Sequence, residues 1–379
     1  MTSILIVAGE NSGDKYGADL IRAYRRLDPT ASFFGVGGKD MAEVGAEIIF
    51  PLNQLNIIGV TEAVFSWRRV MKMLRRLAKE AAARQIRAAV LIDSPDFNLR
   101  LAPRLHREGV PVLYYISPTI WAWRQRRLQT IRRTVTKMLL IFPFEKEIYD
   151  SHQIPAVYVG HPLLERIKVN LDRNTFRQKY NLPLAEPLIT LLPGSRPAEI
   201  RYHLPILIKS IDIIRNRAKA TFLLLKAETI ETDFIQQFIP KGSRLQLLEQ
   251  DKYEAMAASD LSLAACGTAN MEACLLGTPL VAFYKLSPLV FYLGRNLVKI
   301  KHYSIVNILA RKQVVPELIQ SRMTPANIAE EALSLLASPE KAAAMKKEFN
   351  RLRQLLGEER APLKAALELY NLVNPPPSG

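Results

Sequence analysis

The chain has 379 residues, 49% hydrophobic and 23% charged, which is enough apolar matter for two or three cores and excludes a wholly disordered chain. Cys266 and Cys274 are its only cysteines, too few for a disulfide framework or a multi-cysteine zinc module. Lysine plus arginine (52) against aspartate plus glutamate (36) leaves +16, which calls for a nucleic acid, an anionic bilayer or a phosphate-rich small substrate.

The first half reads as alternating strand and helix. Ser3–Ala8 is a short continuous apolar run, the pattern of a strand buried on both faces of a parallel sheet. Met1–Gly9 carries no basic leader and no small-residue cleavage site, so a cytoplasmic protein is expected. Ser12-Gly13-Asp14 then opens a helix over Tyr16–Arg26. Further strands are expected at Ser32–Val36, Ala88–Ile92, Val110–Ile116, Lys137–Phe142 and Ala156–Val159. The longest apolar stretch, Met138–Phe144, falls far short of the about 20 residues that cross a bilayer. After a linker at Leu163–Leu184 the pattern restarts, with strands at Leu188–Leu192, Thr221–Leu225, Ser259–Leu263 and Pro279–Phe283. Pro339–Val373 reads as helical. The spacing predicts an α/β chain of two Rossmann-like lobes, whose ligands sit beyond the carboxyl ends of the strands.

Those strand ends hold the unusual residues. Gly9-Glu10-Asn11-Ser12-Gly13-Asp14 lacks the G-x-G-x-x-G spacing of a dinucleotide site, although glycine allows close approach to a ligand. Ser12 or Asp14 as a plain helix N-cap is the structural alternative. Asp93-Ser94-Pro95-Asp96-Phe97-Asn98 puts two carboxylates and an amide in one loop, suited to general-base work or to capping. Gly194-Ser195-Arg196 joins backbone amides, a hydroxyl and a forked guanidinium, the donors a pyrophosphate needs; a solvated surface turn is the alternative. Gly267-Thr268-Ala269 lets a diphosphate approach a helix N-terminus, with Glu272 a turn further on to accept ribose hydroxyls. His161, in Gly160-His161-Pro162, ends a strand near the linker and reads either as a cleft residue or as a core histidine.

Two basic runs account for part of the charge. Ser66–Arg87 sets eight basic residues, among them Arg68, Arg69, Lys72 and Arg76, against Glu80 alone, a local +7. Val70, Met71, Met73, Leu74 and Leu77 supply an apolar side at near-helical spacing. Such a helix either lies on anionic lipid or packs into a core with its basic face in water. Trp121-Ala122-Trp123-Arg124 leads an acid-free stretch to Lys137, where aromatics beside arginines suit bases, a bilayer interface or a phosphorylated acceptor.

Taken together these peptides resemble the lipid-A-disaccharide synthase family. The resemblance rests on Ala8-Gly9-Glu10-x-Ser12-Gly13-Asp14, Gly35-x-Gly37-Gly38-x-x-Met41 and Ile92-Asp93-x-Pro95-Asp96-Phe97-Asn98. It continues through Tyr115-x-Ser117-Pro118-x-x-Trp121-Ala122-Trp123-Arg124, Pro143-Phe144-Glu145 and Gly160-His161-Pro162. In the second half it includes Leu192-Pro193-Gly194-Ser195-Arg196-x-x-Glu199, Gly267-Thr268-Ala269, Leu297-Val298-Lys299 and Asn307-Ile308-Leu309-Ala310.

The resemblance implies a GT-B fold, with lobes at 1–165 and 166–338 facing across a cleft and C-terminal helices at 339–379 crossing back to the first lobe. It implies an inverting, metal-independent transferase without cofactor. The donor would be UDP-2,3-diacylglucosamine and the acceptor 2,3-diacylglucosamine 1-phosphate. The product would be a β-1,6-linked disaccharide 1-phosphate with release of UDP. Asp93 takes the position of the general base, with Asp96 the other carboxylate of its loop, and Arg196 that of the group stabilising the departing diphosphate. Glu10, Asn11, Ser12, Asp96, Asn98, Trp123, Arg124, His161, Gly194, Ser195, Gly267, Thr268, Ala269, Glu272 and Asn307 are the expected substrate contacts. Trp67, Arg68, Arg69, Lys72, Met73 and Arg76 are expected to dock on the cytoplasmic leaflet of the inner membrane. A homodimer exchanging C-terminal helices is an assembly the resemblance leaves open. Cys266, Asn270 and Asn11 depart from the family pattern and bear on hydrogen bonding around the nucleotide. The other readings are a different GT-B UDP-N-acetylglucosamine transferase or epimerase and a basic nucleic-acid-binding protein. Strand-end Gly-Ser-Arg and Gly-Thr loops serve no nucleic-acid role, so no nucleic acid is expected.

Overall fold

A computed structural model describes residues 2–56, 63–120, 126–287, 291, 301–357 and 360–375. Trp123, Arg124 and Leu297–Lys299 lie outside the described residues, as do the side chains of residues 55–56 and 63–66. The chain forms two compact units, Met1–Pro162 with Leu356–Gly379, and Leu163–Leu355.

In the first unit the order is β1 (Ser3–Ala8), α1 (Asn11–Arg25), β2 (Ser32–Gly37), β3 (Glu47–Pro51), α2 (Ala63–Ala83), β4 (Ala88–Ile92), α3 (Pro95–Arg107), β5 (Val112–Tyr115), β6 (Lys137–Leu140) and β7 (Ala156–Tyr158). The strands pair in parallel in the order β3-β2-β1-β4-β5-β6-β7. A parallel sheet is covered on both faces, and the alternation along β1 shows how. Leu5 and Val7 enter one core with Val70, Met73, Leu74 and Leu77 of α2 and Leu101 and Leu105 of α3. Ile4, Ile6 and Ala8 enter the opposite core with Leu20, Ile21 and Tyr24 of α1.

The second unit contains β8 (Leu188–Leu192), α4 (Pro197–Arg215), β9 (Thr221–Leu225), β10 (Gln246–Leu248), β11 (Leu261–Ala265), α5 (Thr268–Leu276), β12 (Leu280–Tyr284), α6 (Ile305–Ala310), β13 (Glu317–Ile319), α7 (Pro325–Ala337) and α8 (Pro339–Leu355). Its parallel order is β10-β9-β8-β11-β12-β13, the first six strands of the other sheet over again. In each sheet the chain reverses its direction of winding beside the first strand, between β1 and β4 and between β8 and β11. Ligand crevices of open α/β sheets form at such points.

The C-terminal stretch expected at 339–379 divides. Met345, Phe349 and Leu352 of α8 are buried within the second unit, where Arg353 Nη1 donates to Leu275 O at 3.2 Å. Only the last helix, α9 (Ala361–Val373), belongs to the first unit. There Ala365, Ala366, Leu369 and Val373 fill the α1-side core, Tyr370 meets Tyr24 at 6.2 Å, and Lys137 pairs with Glu368 at 2.7 Å. The expected interior strands appear with ends displaced by no more than two residues, whereas α1 begins five residues before the expected Tyr16 because it follows directly on the β1 exit.

Candidate active site

The β1 and β4 exits share one rim of the first sheet, since Ala8 pairs with Ile92. A Cβ on Gly9 would lie 2.0 Å from Ser94 Oγ, so only glycine lets the two exits pack together. Glu10 is the N-cap of α1, with its side chain exposed, and Asn11 and Ser12 form the first turn, half-buried. Neither Ser12 nor Asp14 caps α1. The buried Asp14 carboxylate instead accepts the amides of Gly38 (2.6 Å) and Asp40 (3.0 Å), tying α1 to the Gly37-Gly38 turn.

Asp93 is half-buried and begins an unusual turn. Its amide completes the ladder by donating to Tyr115 O at 2.9 Å, after which Asp93 and Ser94 both adopt left-handed conformations (φ 46° and 42°). Each costs about 1–2 kcal/mol for a residue with a Cβ, and Ser94 also precedes Pro95, which disfavours helical-type backbone before it. Two donors hold the turn. Tyr114 Oη and Asn98 Nδ2 both donate to Asp93 O, at 2.5 and 2.8 Å, and Asn98 Nδ2 reaches Ile92 O at 3.1 Å.

Asn98 is wholly buried in this role, so the substrate contact expected of it is replaced by a backbone one. Asp96 is exposed and paired with Arg127 at 2.6 Å. His161 is buried against the Phe142 ring, 5.2 Å between centroids, and burial pushes its pKa down to about 3. It is a neutral core histidine rather than a cleft cation, because burial penalises the charged ring.

The second unit presents a different chemistry at the equivalent place. The β8 exit runs Pro193-Gly194-Ser195-Arg196 into α4. The amides of Ser195 and Arg196 donate to Glu199 Oε2 at 2.8 and 3.3 Å, so these two donors of the turn are already in use within it. Gly194, at φ 131°, passes directly over Glu199: a Cβ there would sit 2.4 Å from its Oε2. The side chains of Ser195 and Arg196 are exposed. His203 supports the turn from below. Its Nδ1 donates to Pro193 O at 2.6 Å and its Nε2 accepts from Lys285 N at 3.0 Å, and burial lowers its pKa, keeping that neutral tautomer.

At the β11 exit, Gly267 and Thr268 are exposed and Ala269 half-buried at the N-terminus of α5, which no side chain caps. Glu272 is 5% exposed; it is ion-paired with Lys252 and accepts from Tyr253 Oη at 3.3 Å. Asn307 is wholly buried. Its Oδ1 accepts from Val314 N (2.7 Å) and Val315 N (2.9 Å), and its Nδ2 donates to Val315 O (2.9 Å) and Glu317 Oε1 (2.7 Å). Every hydrogen-bonding position of this amide is in use, so Asn307 builds the loop after α6 and has no donor or acceptor to spare for a nucleotide.

On α2 the apolar stripe is core. Met73 is 2% exposed and Leu74 and Leu77 are fully buried, which removes Met73 from the expected membrane contacts. Trp67, Arg68, Arg69, Lys72 and Arg76 are on the exposed side, with Arg100 stacked 4.4 Å over the Trp67 ring. Among the described residues no group of three or more His, Cys, Asp or Glu side chains could hold a metal, and no helix is long and apolar enough to cross a membrane.

The residues that sequence reasoning passed over are supports. Tyr114 lies in an apolar strand run and reads as core, and Lys252 and Tyr253 follow the weak strand β10 with no motif around them. Glu199 was visible only as the end of a motif.

Two parallel α/β units of one topology, each ending in a polar rim, define a chain of the GT-B glycosyltransferase fold. Solved structures share it. The UDP-GlcNAc 2-epimerase of Neisseria meningitidis superposes with a TM-score of 0.63 at 12% identity, covering 97% of this chain and 98% of that one. The calicheamicin glycosyltransferase CalG4 gives 0.65 at 14% identity, covering 99% of each. Residues 4–369 match the family described as lipid-A-disaccharide synthetase. A lipid-A-disaccharide synthase of Solibacter usitatus is 40% identical over 374 residues, 98% of each chain. The chain belongs to the lipid-A-disaccharide synthase family and is a hexosyltransferase.

Proposed function

We propose that the chain joins UDP-2,3-diacylglucosamine to 2,3-diacylglucosamine 1-phosphate, forming the β-1,6-linked disaccharide 1-phosphate and UDP. The observation that carries the mechanism is the Asp93 turn, a half-buried carboxylate held at the β4 exit beside the β1 exit. Asp93 removes the proton of the acceptor 6-hydroxyl as that oxygen attacks the anomeric carbon from the face opposite the diphosphate. The anomeric C–O bond breaks, UDP leaves with the electron pair, and the configuration inverts. Arg196 meets the charge growing on the diphosphate, Ser195 and the amide end of α5 at Gly267 and Thr268 assist, and Glu272 receives the ribose hydroxyls. Glu10, Asn11 and Ser12 line the acceptor side. No resident metal enters this scheme.

Both substrates carry acyl chains, so the enzyme works at a bilayer surface, the cytoplasmic leaflet of the inner membrane. The exposed basic side of α2 (Arg68, Arg69, Lys72 and Arg76, with Trp67) supplies the attraction, about 1 kcal/mol per cation near anionic lipid. Exchange of the C-terminal helices between two protomers would make a homodimer. A solution mass of one chain, 42.8 kDa, would exclude it.

The deciding experiment incubates the protein with both lipids, with and without a chelator. UDP and a disaccharide are expected in both tubes; their absence from both overturns the reading, and their absence from the chelated tube alone overturns the metal-free scheme.

A further inference from the structure

The turn that carries Asp93 is held by two side chains from separate elements: Tyr114, to which no role was assigned above, and Asn98, whose expected substrate contact is replaced by these backbone bonds. Tyr114 comes from β5 and Asn98 from the first turn of α3; both are fully buried. They converge on a single acceptor, Asp93 O. The backbone at Asp93 and Ser94 adopts a conformation that side-chain-bearing residues avoid, and it is followed by a proline that disfavours it further. Left to itself the turn would relax toward extended backbone. Because the Asp93 carbonyl and its side chain branch from the same Cα, holding the backbone here sets the direction of the Cα–Cβ bond and narrows the rotamers open to the carboxylate.

The two donors are well chosen for permanence. Burial raises the Tyr114 pKa well above that of a free phenol, with the nearby Asp93 charge adding to the effect, so the hydroxyl keeps the proton it donates. Asn98 spends its amide on the last two carbonyls of the strand exit and stays donor-only there.

We infer that Tyr114 and Asn98 are positioning residues for Asp93, which aim its carboxylate by pinning its carbonyl. The inference rests on Asp93 as the base and deepens that reading. Neither residue touches the reacting atoms; each acts through Asp93 alone.

The test is a double-mutant cycle on kcat with the lipid pair as substrates. Tyr114→Phe keeps the ring and removes one donor. A loss of roughly 10- to 100-fold in kcat is expected, the scale on which misplacing a catalytic group by about 1 Å acts, with UDP affinity and melting temperature nearly unchanged. Combined with Asp93→Asn, Tyr114→Phe should cost nothing more, because the group it aims is already lost. Asn98→Ser, which shortens the second donor at a cost in stability, should repeat the kinetic pattern, slowing the parent and costing nothing more on the Asp93→Asn background. Wild-type turnover in Tyr114→Phe, or an undiminished loss on the Asp93→Asn background, overturns the inference. Near-wild-type turnover in Asp93→Asn alone overturns instead the base reading on which it stands.

Discussion

The two units are built to one topology and then diverge at corresponding strand ends. The comparison is closest after the fourth strand of each order. In the first unit Asn98 Nδ2 donates to Ile92 O and Asp93 O; in the second Asn270 Nδ2 donates to Ala264 O (3.4 Å) and Ala265 O (3.0 Å). Each asparagine follows its carbonyls by six and five residues, each is wholly buried, and the Oδ1 of each has no hydrogen-bond partner among the described residues. The same small device turns a central strand into its helix in both places. What differs is the side chains around it. The first rim carries the carboxylates Glu10, Asp93 and Asp96, whereas the second carries Ser195, Arg196 and the exposed glycine–threonine start of α5. Topology fixes where a ligand can be met, and a few exit residues decide whether it meets a proton acceptor or a set of donors. The Asn270 departure from the family pattern therefore reads as a structural copy of Asn98 rather than as a change in nucleotide contact.

The sharpest way to break this comparison is to disable each rim separately. Asp93→Ala should lower kcat by about 10³-fold while leaving UDP affinity nearly intact, since it removes only proton transfer. Arg196→Ala should lower kcat by about 10²-fold and weaken UDP as well. Calorimetric UDP titration beside a turnover assay reads both; a large loss of UDP affinity in the Asp93 variant would take that residue out of the base role.

The glycines at the first-strand exits come next. Gly9→Ala drives a methyl into Ser94 and should cost about 3 kcal/mol, and adding Ser94→Gly should restore most of it by removing the obstructing atoms and easing the φ of 42°. Gly194→Ala meets Glu199 with an unfavourable φ as well, and no single truncation relieves both. Chemical denaturation of the three variants checks this; equal stability of Gly9→Ala and wild type would mean the two exits do not pack as described. Asn98→Ala and Asn270→Ala should each cost about 2 kcal/mol, the loss of two buried donors, but only the first should slow turnover.

How much of this could be read from sequence follows from burial. The interior strands were legible because a strand covered on both faces is a continuous apolar run. The strands β3, β10 and β13 were not, and all three are sheet edges with partly exposed, mixed residues. The acidic and arginine-bearing exits were legible as strand-end motifs. Their supports were not, because a tyrosine within Val112–Tyr115 looks like any core aromatic. Asn98 and Asn307 show the reverse error: a motif asparagine reads the same whether its amide faces a ligand or the backbone, and only the hydrogen-bond partners distinguish them. Met73 was ambiguous for a similar reason, since an amphipathic helix has one apolar face and the sequence does not say whether lipid or protein covers it.

The mildest prediction concerns one buried histidine in each unit. A histidine whose folded pKa is depressed takes up its proton more readily in the unfolded chain, so acid favours unfolding. For His161 the window opens as the pH falls below the ordinary value near 6.5 and closes near 3, and there is no effect above it. Between pH 7.5 and 5.5 this amounts to about 1.4 kcal/mol of lost stability, one decade of proton binding by the unfolded chain. His203, lowered by burial and held between Pro193 O and Lys285 N, contributes in the same direction. Replacing His161 with Gln should flatten the pH dependence of the first unit, and replacing His203 that of the second, each leaving the other's slope in place. Urea midpoints across that pH range, followed by hydrogen exchange of each unit, measure the two slopes apart. If the His161 variant keeps the full slope of the parent, the ring takes up its proton in the folded chain after all and the buried neutral assignment is wrong.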